Sequence, residues 1–156
     1  MIVVKTREEI ELMREAALVV SKTLGEVAKA VKPGVTTLEL DKIAEACIRD
    51  QDAIPGFLGL YDFPNTLCMS PNSQVVHGIP NNSPLVEGDI ISIDCGAIKH
   101  GFYGDHAYTF PVGEIAPETE KLLQVTKESL YVGIREFKVG NRVGDVGYAI
   151  QKYCED

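Results

Sequence analysis

Asp89-Ile-Ile-Ser-Ile-Asp94-Cys-Gly-Ala-Ile-Lys-His-Gly-Phe-Tyr-Gly-Asp105-His-Ala-Tyr-Thr-Phe110 is the stretch that decides the fold of this chain. Its flanks are rich in β-branched and aromatic residues, and Lys99-His100-Gly101 reads as a turn. The pattern predicts an antiparallel hairpin centred between Lys99 and His100, pairing position 98 with 101, 96 with 103 and 94 with 105. Asp94 and Asp105 then stand directly opposite each other, with Cβ atoms roughly 4.5–5.5 Å apart. Like charges at that distance destabilise a sheet, so something must offset them: a shared proton, a nearby Arg or Lys, or one or two divalent cations. Paired carboxylates suit a two-metal site, whose ions lie about 3.5–4 Å apart. The plainer alternative is two unrelated aspartates, one of them turned to the other face by a bulge. Gly96 and Gly104 beside them mark a bulge or the close approach of a ligand.

Composition narrows the class. A chain of 156 residues is read as a single domain, and its 45% apolar and 24% charged content is that of a soluble globular protein with a substantial core. The net charge of −8, with no basic run, argues against a nucleic-acid partner and favours cations near clustered carboxylates. The opening Met-Ile-Val-Val-Lys-Thr-Arg-Glu-Glu lacks the apolar core and cleavage site of a signal peptide. No apolar run reaches the about 18 residues of a membrane span. Cys47, Cys68, Cys95 and Cys154 are widely spaced and read as buried free thiols in a reducing, cytoplasmic setting.

Along the chain, Thr6 and Glu9 form a capping box. Helical periodicity then runs through Ile10, Met13, Ala17, Val20, Leu24, Val27 and Val31 to Pro33-Gly34. Thr36 and Glu39 open a second helix, with Leu40, Ile43, Cys47 and Ile48 offered to the core. A Gly/Pro/Asn-rich region over 55–65 precedes strand-like runs at 66–70, 74–77, 89–97 and 102–112. A third helix begins at Ala116-Pro117 and ends near Phe137, and a fourth starts near Asp145. A shift of 106 residues lays the last two helices on the first two, matching Val19 to Val125, Leu24 to Leu130, Gly34 to Gly140 and Leu40 to Val146. These matches fit an internal duplication, or else the chance likeness of two helix pairs joined by a glycine turn. A duplication implies a first half over about 1–112 and the start of a second over about 113–156, without a second set of strands.

Phe63-Pro-Asn-Thr-Leu-Cys68-Met-Ser70-Pro-Asn72-Ser-Gln-Val-Val-His77-Gly-Ile-Pro80 resembles the signature of type I methionine aminopeptidases. So do Gly88-Asp-Ile-Ile-Ser-Ile-Asp94 and Gly101-Phe-Tyr-Gly-Asp105, and the likeness covers essentially the whole chain from Lys5-Thr-Arg-Glu-Glu-Ile-Glu-Leu-Met13 onward. The resemblance implies an α+β, pita-bread fold: two pseudo-symmetric halves around a curved antiparallel sheet with helices on one face. It implies two divalent metal ions (Co, Mn, Fe(II) or Zn) held in part by Asp94 and Asp105, with Asp105 bridging. It makes His77 a catalytic, substrate-contacting residue and not a ligand. A methionine pocket would draw on Phe57, Leu60, Phe63 and Cys68, where Leu60 and Phe63 replace tyrosines often found there.

The implied activity is removal of the initiator methionine from newly made proteins, by attack of metal-activated hydroxide on the first peptide bond. Its partners would be nascent polypeptide N-termini at the ribosome. The family's ligand histidine and two glutamates fall after the position of Asp156, so the resemblance covers an N-terminal portion. The expectation is a chain that is inactive alone and prone to self-association through an unpaired sheet edge. The rival readings are an Xaa-Pro-specific peptidase of the same fold and a catalytically inactive binding module or fragment. Of the other histidines, His106 is expected to pack on the face opposite Asp105, and His100 to be solvated in the turn.

Overall fold

The structure, a computed structural model, describes residues 3–156; Met1 and Ile2, which open the stretch lacking signal-peptide features, lie outside the described residues. Its contacts divide into two compact units that meet in sequence between Glu114 and Ile115. The first holds helices α1 (Arg7–Ala30) and α2 (Thr37–Arg49) and strands β1 (Ile54–Pro55), β2 (Leu67–Pro71), β3 (Ile90–Lys99) and β4 (Phe102–Pro111). The second holds α3 (Pro117–Glu136) and α4 (Val143–Glu155).

Both leading helices start on complete capping boxes. Thr6 and Thr36 accept from the amides of Glu9 and Glu39, whose carboxylates accept in return from the Thr6 and Thr36 amides. Val19, Val20, Leu24 and Val27 of α1 and Leu40, Ala44 and Ile48 of α2 pack against Leu67, Met69, Ile91, Ile93, Cys95 and Ala97 of the sheet. The buried stripe of α1 differs from the expected one. Ile10, Met13 and Ala17 are exposed, and Ala16 is buried instead. The cause is Gly104: a Cβ there would lie 2.4 Å from the Ala16 carbonyl oxygen, so the bare strand and the small helix residue fix which side of α1 faces β4. Ile43 and Cys47, offered to the core by sequence, are only half-buried.

β3 is the centre of the sheet. It pairs antiparallel with β1 and β2 along one edge and with β4 along the other. The ladder with β4 runs unbroken from Ile90↔Pro111 to Lys99↔Phe102, so there is no bulge. The hairpin is centred one residue later than expected. Its turn residues are His100 and Gly101, both with positive φ (53° and 78°), the conformation of the tight hairpin turn whose twist matches that of the strands. Glycine at the second position favours this choice over a Lys99-His100 turn.

One expected strand does not form. Residues 74–77 are irregular, because Asn72 turns the chain away from β2 with φ 51° and Val75 and Val76 point into solvent. In the second unit α4 starts at Val143, two residues before Asp145, whose carboxylate accepts from the Arg142 amide at 2.7 Å. The shift of 106 carries the bounds of α2 onto those of α4 and the last residue of α1 onto the last of α3. Gly34 and Gly140 share the left-handed turn conformation at matched positions, φ 90° and 99°. No helix among the described residues is long and apolar enough to cross a membrane.

Candidate functional site

Side chains alternate across β3. Ile91, Ile93, Cys95 and Ala97 enter the core under the helices, so Ser92, Asp94 and Gly96 belong to the other face. Asp94 pairs with Ala107 and Asp105 with Gly96, which corrects the expected 94–105 pairing. Moving the centre of the hairpin by one residue moves every partner by two. The face is therefore unchanged, and the aspartates become diagonal neighbours on it. Cys68 of β2 pairs with Asp94 from the other side and is buried against it.

The electrostatics follow from this crowding. Burial pushes the Asp94 carboxyl above the usual carboxylate range, and the Asp105 charge and a hydrogen bond to the Asp105 carboxyl push it further; His77 acts in the opposite sense. The Cys68 thiol is raised to about 11, by desolvation first and then by Asp94 and Asp105. Behind the sheet, burial carries Cys95 to about 12. Oδ1 of Asp94 is buried with no hydrogen-bond partner. A half-buried carboxylate of raised pKa, an orphaned oxygen and an exposed second carboxylate beside it form a donor set of hard oxygens open on one side, and a divalent cation fits it. Among the described residues no group of three or more His, Cys, Asp or Glu side chains gathers around one point.

His77 reaches this face from the irregular segment after β2. Its backbone is left-handed (φ 59°), a conformation that surrounding contacts must impose. Gly78 supplies them. Its carbonyl accepts from the Met69 amide at 2.8 Å and its amide donates to Ser70 Oγ at 3.1 Å, while a Cβ on it would sit 1.9 Å from the Met69 carbonyl oxygen. The glycine thus clamps the segment onto β2, and His77 projects from the clamp.

Between β1 and β2 the chain leaves the sheet as a loop carrying Phe57, Leu60 and Phe63. The loop closes on itself: the Leu60 amide donates to the Phe57 carbonyl at 2.9 Å, and the Gly59 amide to the Phe63 carbonyl at 2.8 Å. Phe57 and Phe63 are half-buried and Leu60 is exposed. Sequence reading missed what fixes the far end of this loop. Asp41 of α2 is a buried carboxylate that accepts from the Thr66 and Leu67 amides at 3.0 and 2.8 Å and from Asn65 Nδ2 at 3.0 Å. An acidic residue beside Leu40 on an otherwise apolar helix face was the only signal.

The remaining candidates fall away from the site. His106 is on the face opposite Asp105, as expected, but it is exposed and does not pack in the core. His100, in the turn, pairs with Glu15 Oε2 at 3.0 Å. Neither Gly96 nor Gly104 sits at a bulge; Phe57 fills the space over one and α1 the space over the other. Cys154, expected to be buried, is exposed, and Cys47 is half-buried.

An α+β fold of an antiparallel sheet with a carboxylate pair on one face, two helices against the other and a further helix pair following in sequence is the pita-bread arrangement. The chain belongs to metallopeptidase family M24, which matches it over residues 11–156. It is 49% identical over 156 residues to the methionine aminopeptidase of Clostridium acetobutylicum, a match covering 99% of this chain and 62% of that protein. The crystal structure of the methionine aminopeptidase from Rickettsia prowazekii superposes with a TM-score of 0.97 at 40% identity, over 99% of this chain and 62% of that one. An Xaa-Pro dipeptidase from Bacillus anthracis shares the fold, with a TM-score of 0.82 at 20% identity over 97% of this chain and 41% of that one. The chain spans about 62% of the length of the curated relatives it matches.

Proposed function

We propose that this chain is the N-terminal portion of a metal-dependent methionine aminopeptidase that removes the initiator methionine from newly made proteins in the cytoplasm. The observation that carries this reading is the Asp94–Asp105 pair: two carboxylates on one sheet face, one with an orphaned buried oxygen and a raised pKa, form a donor set that a divalent cation would fill. Similarity to methionine aminopeptidases at 49% identity, against 20% to an Xaa-Pro dipeptidase, favours methionine over proline specificity.

Asp94 and Asp105 hold the metal, two divalent ions in the complete enzyme, and their hard oxygens suit Mn, Fe(II) or Co, with zinc also accommodated. Bound there, such ions supply a water of lowered pKa and offset negative charge developing on the scissile carbonyl. His77, on its clamped segment, donates a hydrogen bond to the scissile group. Phe57, Leu60, Phe63 and Cys68 receive the methionine side chain. The substrates are nascent polypeptide N-termini presented at the ribosome.

Two carboxylates alone hold a cation loosely, so the isolated 156-residue chain is a poor enzyme that self-associates through the outer edge of β4. The test is methionine release by the complete protein carrying this chain, supplied with each divalent metal in turn. Met-Ala and Met-Gly peptides should be cut, and peptides with a bulky second residue cut poorly. Equal activity on Leu-leading or Xaa-Pro peptides would assign a different aminopeptidase of this fold.

A further inference from the structure

Inside β3, Gly96 falls in a gap between the two strands that cover its inner edge. β1 covers Ala97 and Ile98, β2 covers Ile91 to Cys95, and Gly96 lies between them. Its carbonyl accepts from the Gly56 amide at 2.7 Å, and there the chain departs as the loop that returns at Leu67. On its other edge Gly96 pairs with Asp105, and Asp94 stands two residues back on the same face. A Cβ on Gly96 would lie 2.4 Å from Cε1 of Phe57 and 2.9 Å from its Cδ1 and Cζ. The Phe57 ring therefore occupies the volume any side chain at 96 would take, beside the carboxylate pair.

We infer that Gly96 is a specificity-determining residue: by carrying no side chain it seats the Phe57 ring flat on the sheet beside Asp105, and that ring is the wall met by the substrate's first side chain. The inference deepens the aminopeptidase reading of this face and rests on it. The atoms nearest the missing Cβ are at the far end of a side chain, so a residue added at 96 moves the ring and not the strand. The displacement passes along the loop, because Leu60 is hydrogen-bonded to Phe57 and Phe63 to Leu60. Tyr61 and Asp62 already hold left-handed backbone (φ 50° and 62°), so the loop depends on its root for its shape. A flat aromatic wall suits an unbranched, polarisable side chain, and a thioether meets it best.

The experiment follows the Phe57, Gly96 and Asp105 amide resonances of the 15N-labelled complete protein carrying this chain during titration with L-methioninamide, L-norleucinamide and L-alaninamide, without metal. The unaltered chain should bind the first two more tightly than the third. Gly96→Ala should weaken methioninamide about 10-fold or more and flatten the order, the scale of a one-methylene misfit in an apolar pocket. In a Phe57→Ala background, Gly96→Ala should add nothing, since the two act through one contact. Phe57→Leu, which leaves the strand untouched, should lose the same preference and serves if Gly96→Ala unfolds. Unchanged affinity and order in Gly96→Ala, or a full Gly96→Ala effect when the ring is absent, overturns the inference alone. If the unaltered chain binds none of the three amides while the Gly96 Hα shows the ring-current shift of a seated Phe57, the aminopeptidase reading of this face fails and the inference with it.

Discussion

Asp94 and Asp105 share one face of the β3–β4 ladder one pair out of step, Asp94 beside Ala107 and Asp105 beside Gly96. Neither carboxylate is directly opposed by the other, yet burial and the Asp105 charge still raise the Asp94 pKa above its ordinary 3.8. The folded chain therefore holds a proton on Asp94 that the unfolded chain releases. That contribution to stability is fully present below the unfolded value and is lost as pH rises through the raised folded value. Asp94→Asn should stabilise the metal-free chain at pH 7.5 by about 0.2–1 kcal/mol, the scale of a like-charge cross-strand pair. The gain should vanish at pH 3.5. Urea unfolding at both pH values checks it, and an equal gain at both would mean that charge is not the cause.

The division of labour between Asp105 and His77 is open to metal analysis of the complete protein. Asp105→Ala should empty the site and abolish activity, more severely than Asp94→Ala, if Asp105 bridges two ions. His77→Ala should keep its metal and lose about 10²–10³-fold in turnover, the scale of one lost transition-state donor. Loss of metal from His77→Ala would make it a ligand.

Gly78→Ala should be costly for its size. The added methyl would sit 1.9 Å from the Met69 carbonyl oxygen, which belongs to β2 and cannot yield as a side chain does. A loss of roughly 2–3 kcal/mol is expected, at the upper end for a single substitution. Ser70→Ala removes only the acceptor of the Gly78 amide and should cost about 1 kcal/mol. Chemical denaturation ranks the two, and faster hydrogen exchange at Gly78 should accompany the second.

Asp41→Ala strands two backbone amides, those of Thr66 and Leu67, in a buried setting. About 2–3 kcal/mol of stability should go with them. Asp41→Asn keeps one acceptor oxygen and should recover part of the loss in the same denaturation experiment.

Thiol reactivity should divide the four cysteines. Exposed Cys154 should alkylate first and half-buried Cys47 next, with buried Cys68 and Cys95 last. The Cys68 and Cys95 thiols, raised to about 11 and about 12, remain protonated at pH 8, so only the thiolate-poor form meets the reagent. Iodoacetamide labelling read by peptide mass gives the order. Rapid labelling of Cys68 at pH 8 would show that the β2–β3 pairing beside Asp94 opens readily.

Much of the fold was legible in the sequence because its signals are local. The Thr6–Glu9 and Thr36–Glu39 boxes set two helix starts, since both partners lie within one turn. The 106-residue shift carries the bounds of α2 onto those of α4, although the helix start read from the sequence, near Asp145, was two residues late. Strand alternation put Asp94 and Asp105 on a common face, and that result survived an error in the turn because a one-residue move of the hairpin centre conserves parity. The strand expected over 74–77 failed for the opposite reason: its apolar run was real, but the backbone was claimed by the Gly78 clamp to β2.

The sequence by itself determined the helix pairs, the hairpin and the residues able to carry the chemistry, because capping, periodicity and alternation depend on neighbours a few positions away. The tertiary structure alone decided the diagonal setting of Asp94 and Asp105, the left-handed seat of His77, the buried Asp41 at the root of β2 and the Phe57 ring over Gly96. Each of these depends on a contact between residues distant in sequence or on a choice between turns of similar local propensity. Such choices are made by what the rest of the chain leaves room for, and no stretch of sequence read alone contains that information.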